Sequence, residues 1–226
     1  MIPSPLGDTL ISEVIPQGTV DVLCNLKHFV VEELRTARRY LSKAGLKGNI
    51  ANLELYLLNK HTNDLDVESY ISILLSGQSM GMVSEAGLPA VADPGAKMVA
   101  LAHKKGIDVV PLVGPSSLML ALMASGKNGQ NFAFVGYLPI KSEERKARIK
   151  ELEKITLKTG QSQIIIETPY RNDALLADLL QVCDNKTLLT IAANITVPGS
   201  LIKTKSVMQW KKERPGLNKK PCVFIL

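Results

Sequence analysis

The stretch from Met80 to Gly95, M-G-M-V-S-E-A-G-L-P-A-V-A-D-P-G, restricts the fold more than any other part of the chain. Its apolar opening, Met80-Gly-Met-Val83, suits one buried strand of a parallel sheet. The run breaks at Ser84-Glu85-Ala86-Gly87, where small residues let a backbone turn sharply and approach a ligand. A second break, Asp93-Pro94-Gly95, leads into the periodic apolar residues Met98, Val99, Leu101 and Ala102. Asp as N-cap with Pro at the first helical position is a helix-start signature. The unit therefore reads as strand, long loop, helix. A loop of about ten residues here exceeds the usual two to six, and such loops often carry function. Taken singly, Ser84 and Asp93 fit a turn and a helix cap; the loop as a whole reads as a ligand site.

Strands and helices alternate along the rest of the chain, which predicts the α/β class. Strands are expected at His28–Glu32, Leu53–Leu58, Met80–Val83, Asp108–Leu112, Phe132–Gly136, Gln163–Glu167, Leu188–Ala192 and Pro221–Leu226. Helices are expected at Gln17–Leu26, Thr36–Ala44, Asp66–Leu75, from Asp93 to about Lys105, and at Leu118–Ser125, Ser142–Leu157 and Asn172–Val182. A junction near Gly114 divides the chain into an N-terminal α/β domain, residues 1–113, and a C-terminal one, residues 114–226.

Five Gly-, Pro- or charge-rich loops each follow a predicted strand: Pro5-Leu6-Gly7, Glu32-Glu33 with Arg35, His61 with Asn63, Ser84 to Gly87, and Gly114 to Ser117. Ligands of open parallel sheets bind outside the carboxyl ends of the strands, so these loops are expected to meet on one edge. Gly114-Pro115-Ser116-Ser117 opens a helix, whose free N–H groups suit a carboxylate or phosphate. The chain has no G-x-G-x-x-G, no G-x-x-x-x-G-K-[ST], no G-x-S-x-G and no H-E-x-x-H. Three histidines and three scattered cysteines argue against a metal centre or a disulfide framework. The N-terminus has neither a basic start nor an apolar core, and Pro111, Gly114 and Pro115 interrupt the longest apolar region. A cytoplasmic protein that neither spans nor binds a membrane is expected.

The net charge of +6 gathers in two runs of the second half. Lys141, Arg145, Lys146, Arg148, Lys150, Lys154 and Lys158 alternate with acids and read as a solvated helix face. Lys203, Lys205, Lys211, Lys212, Arg214, Lys219 and Lys220 are opposed only by Glu213, which suggests an anionic partner. Aromatic residues are only 4% of the chain, too few for a platform of stacked bases.

Ser84-Glu-Ala-Gly-Leu-Pro89 with Asp93-Pro-Gly95 resembles the S-D-A-G-x-P-x-x-x-D-P-G motif of the tetrapyrrole methylase superfamily. The nearest branch is the type I methyltransferases of small-subunit ribosomal RNA, which methylate a cytidine 2′-hydroxyl. Further matches follow in order. Ser4-Pro-Leu-Gly7 is similar to T-P-I-G, Glu32-Glu-Leu-Arg35 to E-D-T-R, and Val113-Gly-Pro-Ser-Ser117 to P-G-P-S-A. Gly136-Tyr-Leu-Pro139 with Lys141 is similar to G-F-L-P-x-K, and Glu167-Thr-Pro-Tyr-Arg171 to E-S-P-H-R. Ala192-Ala-Asn-Ile-Thr196 stands where the branch has R-E-L-T-K, and lacks its charges.

The resemblance implies a two-domain tetrapyrrole methylase-like fold, S-adenosylmethionine in a cleft between the domains, and a homodimer. The cofactor residues it implies are Pro5, Leu6, Gly7, Ser84, Glu85, Ala86, Gly87, Pro89, Asp93, Ser116, Ser117, Tyr137 and Pro169. Methyl transfer from a sulfonium is an in-line displacement that needs no metal, and alignment can supply up to about 7–11 kcal/mol of the barrier. A hydroxyl acceptor gains from a positioned base; Glu33, His61 and Glu85 are candidates, with Arg35 orienting a phosphate or carboxylate. Glu33 and Arg35 also fit a surface pair, and His61 a turn cap. Three readings stay open: a ribose methyltransferase acting on ribosomal RNA or the small subunit, a tetrapyrrole C-methyltransferase, and a non-catalytic cofactor-binding module on RNA.

Overall fold

The structure, a computed structural model, describes residues 1–226. Its contacts divide the chain into two units, Met1–Ser116 and Ser117–Leu226. No helix is long and apolar enough to cross a membrane.

In the first unit, α1 (Ile11–Val14) and α2 (Gln17–Cys24) precede β1 (His28–Val31) and α3 (Leu34–Leu41). Next come β2 (Glu54–Leu57), α4 (Asp64–Leu75), β3 (Met80–Val83) and α5 (Gly95–Lys104). The strands are parallel, in the order β2-β1-β3, with His28 level with both Glu54 and Met80. The unbroken apolar run Phe29-Val30-Val31 is buried because helices cover both faces. Phe29 and Val31 pack with Leu23, Tyr40 and Leu41, and Val30 packs with Ile71, Met82 and Met98.

The expected strand at Asp108–Leu112 does not form. The Met1 ammonium donates to the Val110 carbonyl at 2.8 Å, the Leu112 N–H donates to the Met1 carbonyl at 3.0 Å, and Ile2 makes an isolated parallel bridge to Val83. Pro3 and Pro111 each remove a donor, so the ladder stops at these single links. The helix expected from Asp93 begins at Gly95, yet the Asp93 carboxylate still ties its start by accepting the N–H of Gly95 at 2.8 Å and of Ala90 at 2.7 Å.

The second unit runs α6 (Ser117–Ser125), β4 (Phe132–Tyr137), α7 (Ser142–Thr159), β5 (Ser162–Glu167) and α8 (Asn172–Val182). It continues with β6 (Leu188–Ala193), β7 (Leu201–Ser206), α9 (Val207–Lys212) and β8 (Cys222–Ile225). The sheet order is β4-β5-β8-β6-β7, with β4 and β5 parallel and β8 antiparallel to both its neighbours. Neither β7 nor α9 was expected. Lysines interrupt the apolar pattern of β7, as suits an edge strand. The short α9 is set by a Ser206–Gln209 capping box and by the buried Trp210.

The first basic run needs one correction. Lys141, Lys146 and Arg148 pair with Glu144, Glu143 and Glu151 along α7, as a solvated face should. Arg145 instead points inward. It is 6% exposed, and its Nε and Nη2 lie 2.7 and 2.6 Å from Asp178 Oδ2 on α8. Its position on α7 matches the buried Ile149 and Leu152 one and two turns on, so it shares their inward face.

Candidate functional site at the strand ends

The carboxyl ends of β1 and β3 are stitched to the first loop. Ser4 and Gly87 exchange backbone hydrogen bonds of 2.8 and 3.0 Å, and the Ser4 hydroxyl donates to the Ser84 carbonyl at 2.7 Å. The buried Tyr40 hydroxyl donates to the Pro3 carbonyl at 2.8 Å, which fixes the entry to that loop; burial pushes its phenol pKa up. Gly87 has φ +77°, and a Cβ there would stand 3.2 Å from Leu6 Cδ2 and 3.6 Å from the Pro115 carbonyl. Glycine alone takes both that conformation and that approach without strain.

These contacts frame a cavity of about 210 Å³. Pro5, Leu6, Gly7, Glu32, Glu33, Ser84, Glu85 and Ala86 line it, with Asp8, Arg39, Tyr40 and Lys43. Three of the five expected loops thus share one cavity, and the Gly114–Pro115 loop abuts Gly87. Ser116 and Ser117 continue that loop into α6. Pro89 is buried and Asp93 holds the loop by the bonds described above. His61 and Arg35 lie outside the cavity lining; both are exposed, and His61 donates its backbone N–H to Asn59 Oδ1 in a local turn.

The two adjacent glutamates have different jobs. Glu33 accepts the N–H groups of Arg35 and Thr36 at 2.9 and 2.6 Å, capping α3, and those bonds hold its carboxyl below the usual range. A carboxylate so engaged is a poor proton acceptor. Glu32 is half-buried, and its Oε1 accepts the Glu85 N–H at 3.1 Å. Burial raises its pKa, and the charges of Asp93 and Glu85 add to the rise against the opposing Glu85 N–H. Burial likewise raises Asp93. Of the two, Glu32 is the carboxylate held in the more basic state and Glu33 the one engaged at the helix start. Glutamate is not among the residues preferred at a helix N-cap, so the sequence carries no signal that separates Glu33 from Glu32.

Sequence reasoning also missed a basic stripe on α3, Arg35, Arg38 and Arg39, continued by Lys43, which pairs with Asp8 at 2.5 Å. The second basic run of the sequence is more occupied than expected. Lys205 pairs with Glu213, Lys211 donates to Asn185, and Arg214 donates to the Asp173 carbonyl.

A second strand-end edge lies in the other unit, where Glu167 of β5 and Ala193 of β6 both stand beside Cys222 of β8. Buried Glu167 takes two 2.6 Å bonds from Arg171 Nη2. The Pro169 carbonyl accepts the Lys219 N–H at 3.0 Å, and Tyr137 is exposed. Asn194 and Thr196 hold positive φ of 53° and 69°, a strain typical of functional sites. Arg171 Nε, Asn172 Oδ1 and Thr196 Oγ1 are buried without a hydrogen-bond partner. Buried polar atoms are normally satisfied, so this edge has unmet capacity for a polar ligand. No group of His, Cys, Asp and Glu side chains is arranged to hold a metal ion.

No family model matches the chain. Among curated proteins, it is 31% identical to a ribosomal RNA small subunit methyltransferase I of Vibrio cholerae, over 87% of this chain and 64% of that protein. The chain thus spans under two thirds of that relative's length. It is also 31% identical to the protein of that name from Xylella fastidiosa, over 87% of this chain and 67% of that one. Among solved structures, the methyltransferase CobJ superposes with a TM-score of 0.61 at 14% identity, covering 94% of this chain and 88% of CobJ. The CobJ likeness is one of fold, the tetrapyrrole methylase-like α/β fold. By its identity to these relatives, the chain belongs to the family of ribosomal RNA small subunit methyltransferase I.

Proposed function

We propose that this protein is an S-adenosylmethionine-dependent methyltransferase that modifies the 2′-hydroxyl of a cytidine in small-subunit ribosomal RNA. The observation that carries this reading is the 31% identity over 87% of the chain with relatives named for small-subunit RNA methylation. The site is compatible with it. At Gly87 the backbone runs close against Leu6 and the Pro115 carbonyl, which holds the first and central loops together, and Pro5–Gly7 and Ser84–Gly87 are the residues we assign to the cofactor in the first unit. When bound, the cofactor supplies an electrophilic methyl group; the chain must orient the acceptor and take up a proton. The tetrapyrrole reading has the fold alone in its favour, at 14% identity. The same proposal takes the working protein to be a homodimer. In support, α6 is apolar around its circumference, with Met123 78% exposed, and such a helix is normally covered.

The test is cofactor-dependent methyl incorporation, comparing deproteinised small-subunit RNA with assembled small subunits and mapping any modified ribose. Incorporation at a cytidine 2′-oxygen is the expected result. No label in either RNA form would reject the reading, and label in a tetrapyrrole offered instead would replace it.

Two further results are expected. Gly87→Val puts a β-branched residue at φ +77° against Leu6, and should weaken cofactor binding at least about tenfold (about 1.4 kcal/mol) in calorimetry. A folded Gly87→Val protein with unchanged affinity would remove this loop from the cofactor site. For RNA, reversal of Arg35 and Arg38 to Glu should weaken binding across sequences. It should also flatten the log–log salt slope by roughly 0.7–0.9 for each phosphate no longer neutralised. The α3 arginines are chosen over the second basic run because Lys211 and Arg214 in that run already have partners within the fold. An unchanged slope would clear the α3 surface of any role in RNA binding.

A further inference from the structure

The strand-end cavity is small. Its volume of about 210 Å³ falls below the roughly 300–1,000 Å³ of sites that enclose a drug-sized ligand. That is room for a sugar and its phosphate and too little for a tetrapyrrole macrocycle; the cofactor assigned to Pro5–Gly7 and Ser84–Gly87 would lie mostly outside it, with only its methyl end toward the cavity. Its lining is divided by charge. On the inner side stands half-buried Glu32, with one carboxylate oxygen held by the Glu85 N–H and Oε2 without a partner in the chain. On the outer side stand Arg39 and Lys43 with Asp8: Lys43 is paired with that carboxylate, and Arg39 lies near enough to stabilise its charge without a direct ion pair. The remaining charges facing Glu32 are the carboxylates of Glu85 and Asp93; Glu33 is turned to the start of α3.

We propose that Glu32 is the catalytic base and that this cavity receives the ribose of the acceptor nucleotide, with its phosphate toward Arg39. The proposal rests on the methyltransferase reading above. The acceptor 2′-hydroxyl oxygen forms its bond to the methyl carbon as the carbon–sulfur bond breaks and leaves its electron pair on sulfur. The hydroxyl proton passes to Glu32 Oε2. The positive charge of the sulfonium and the negative charge of the carboxylate are both discharged, so atoms and charge balance. The Glu85 N–H holds the carboxylate in place without consuming the oxygen that takes the proton. Desolvation, which raises the Glu32 pKa, makes it a stronger base than a solvated carboxylate.

The test is Glu32→Gln, whose amide oxygen still accepts the Glu85 N–H. Turnover on small-subunit RNA should fall by roughly 10²–10⁴-fold. KM for RNA and calorimetric cofactor affinity should stay within about threefold, the pattern of an interaction made in the transition state. The acid limb of the wild-type pH profile, set by a carboxyl ionising above the ordinary glutamate range, should vanish. A purely structural Glu32 would leave that limb intact. A second readout needs no turnover: carbon-13 NMR of the side-chain carboxyls, with the Glu32 signal assigned by its absence in Glu32→Gln and in Glu32→Asp. In the cofactor-free protein that signal should titrate above the ordinary range and move when cytidine 5′-monophosphate is added. A variant within threefold of wild-type turnover that keeps the acid limb overturns the base assignment. A Glu32 signal that titrates normally and ignores the nucleotide overturns the pocket assignment. If the unmodified protein methylates no RNA, the underlying function falls, and the NMR arm alone decides whether the cavity is a nucleotide site.

Discussion

Replacing Asp178 by alanine is expected to destabilise the second unit by about 3–5 kcal/mol, the usual cost of leaving one partner of a buried ion pair alone. Arg145 is 6% exposed and aims Nε and Nη2 at the same carboxylate oxygen, while Nη1 donates to the Ile140 carbonyl at 2.7 Å. The Ser142 hydroxyl also donates to Asp178, at 3.1–3.2 Å. Removing the carboxylate strands a guanidinium among Ile149, Leu152 and their neighbours, and releases the start of α7. The joint replacement Arg145→Met with Asp178→Leu should cost less than Asp178→Ala, because no charge is then left unpaired. Two units need not unfold together, so the readout should belong to the second. Trp210, the only tryptophan, is buried there and donates to the Leu189 carbonyl. Denaturant unfolding followed by its fluorescence gives the number. A loss below about 1 kcal/mol in Asp178→Ala would mean that water reaches and screens the pair.

Gly114→Ala should act on the first unit and on the site together. A Cβ at this position would stand 2.2 Å from Pro3 Cβ and 2.6 Å from its Cγ. The proline ring cannot swing aside as a long side chain would. Overpacking of this kind costs about 1–3 kcal/mol, occasionally more. Relief by moving Pro3 would pull on the Tyr40 hydrogen bond and on the Ser4–Gly87 bridge. Cofactor affinity should therefore fall at least about tenfold alongside the melting temperature. Gly48→Ala, with nothing within 4 Å of the new carbon, is the control. A Gly114→Ala protein that melts and binds like the unmodified chain would show that the loop yields freely.

Strongly periodic or unbroken apolar segments were readable from the sequence. His28–Val31, Met80–Val83 and the helices α4 and α8 all lie where their patterns put them. What escaped was set by partners distant in the chain. The apolar run near Val110 reads as a strand, but proline at its centre and at its neighbour Pro3 leaves only isolated links. Lysines on an edge strand hide β7, since only its pairing with β6 reveals it. The meeting of three of the five loops at the first site follows from parallel topology and could be read in advance, whereas the His61–Asn63 loop stays outside the cavity lining. The division of labour between Glu32 and Glu33 could not be read from charge alone, because it depends on which carboxylate the N–H groups of α3 engage. Arg145 shows the converse: a charge run looks solvated in sequence until a distant carboxylate, Asp178, draws one member inward.

The strand order β4-β5-β8-β6-β7 has a consequence for synthesis. The wholly buried middle strand, Cys222–Ile225, is the latest of the unit to be translated. Until it emerges from the ribosome, β5 and β6 each present an unpaired inner edge, and the apolar side chains around Phe224 have no centre to close upon. The parallel strands of the first unit depend on nothing so late. During translation the first unit can therefore fold while the second waits, an exposed half-sheet open to misassociation and proteolysis at least until β8 has been made.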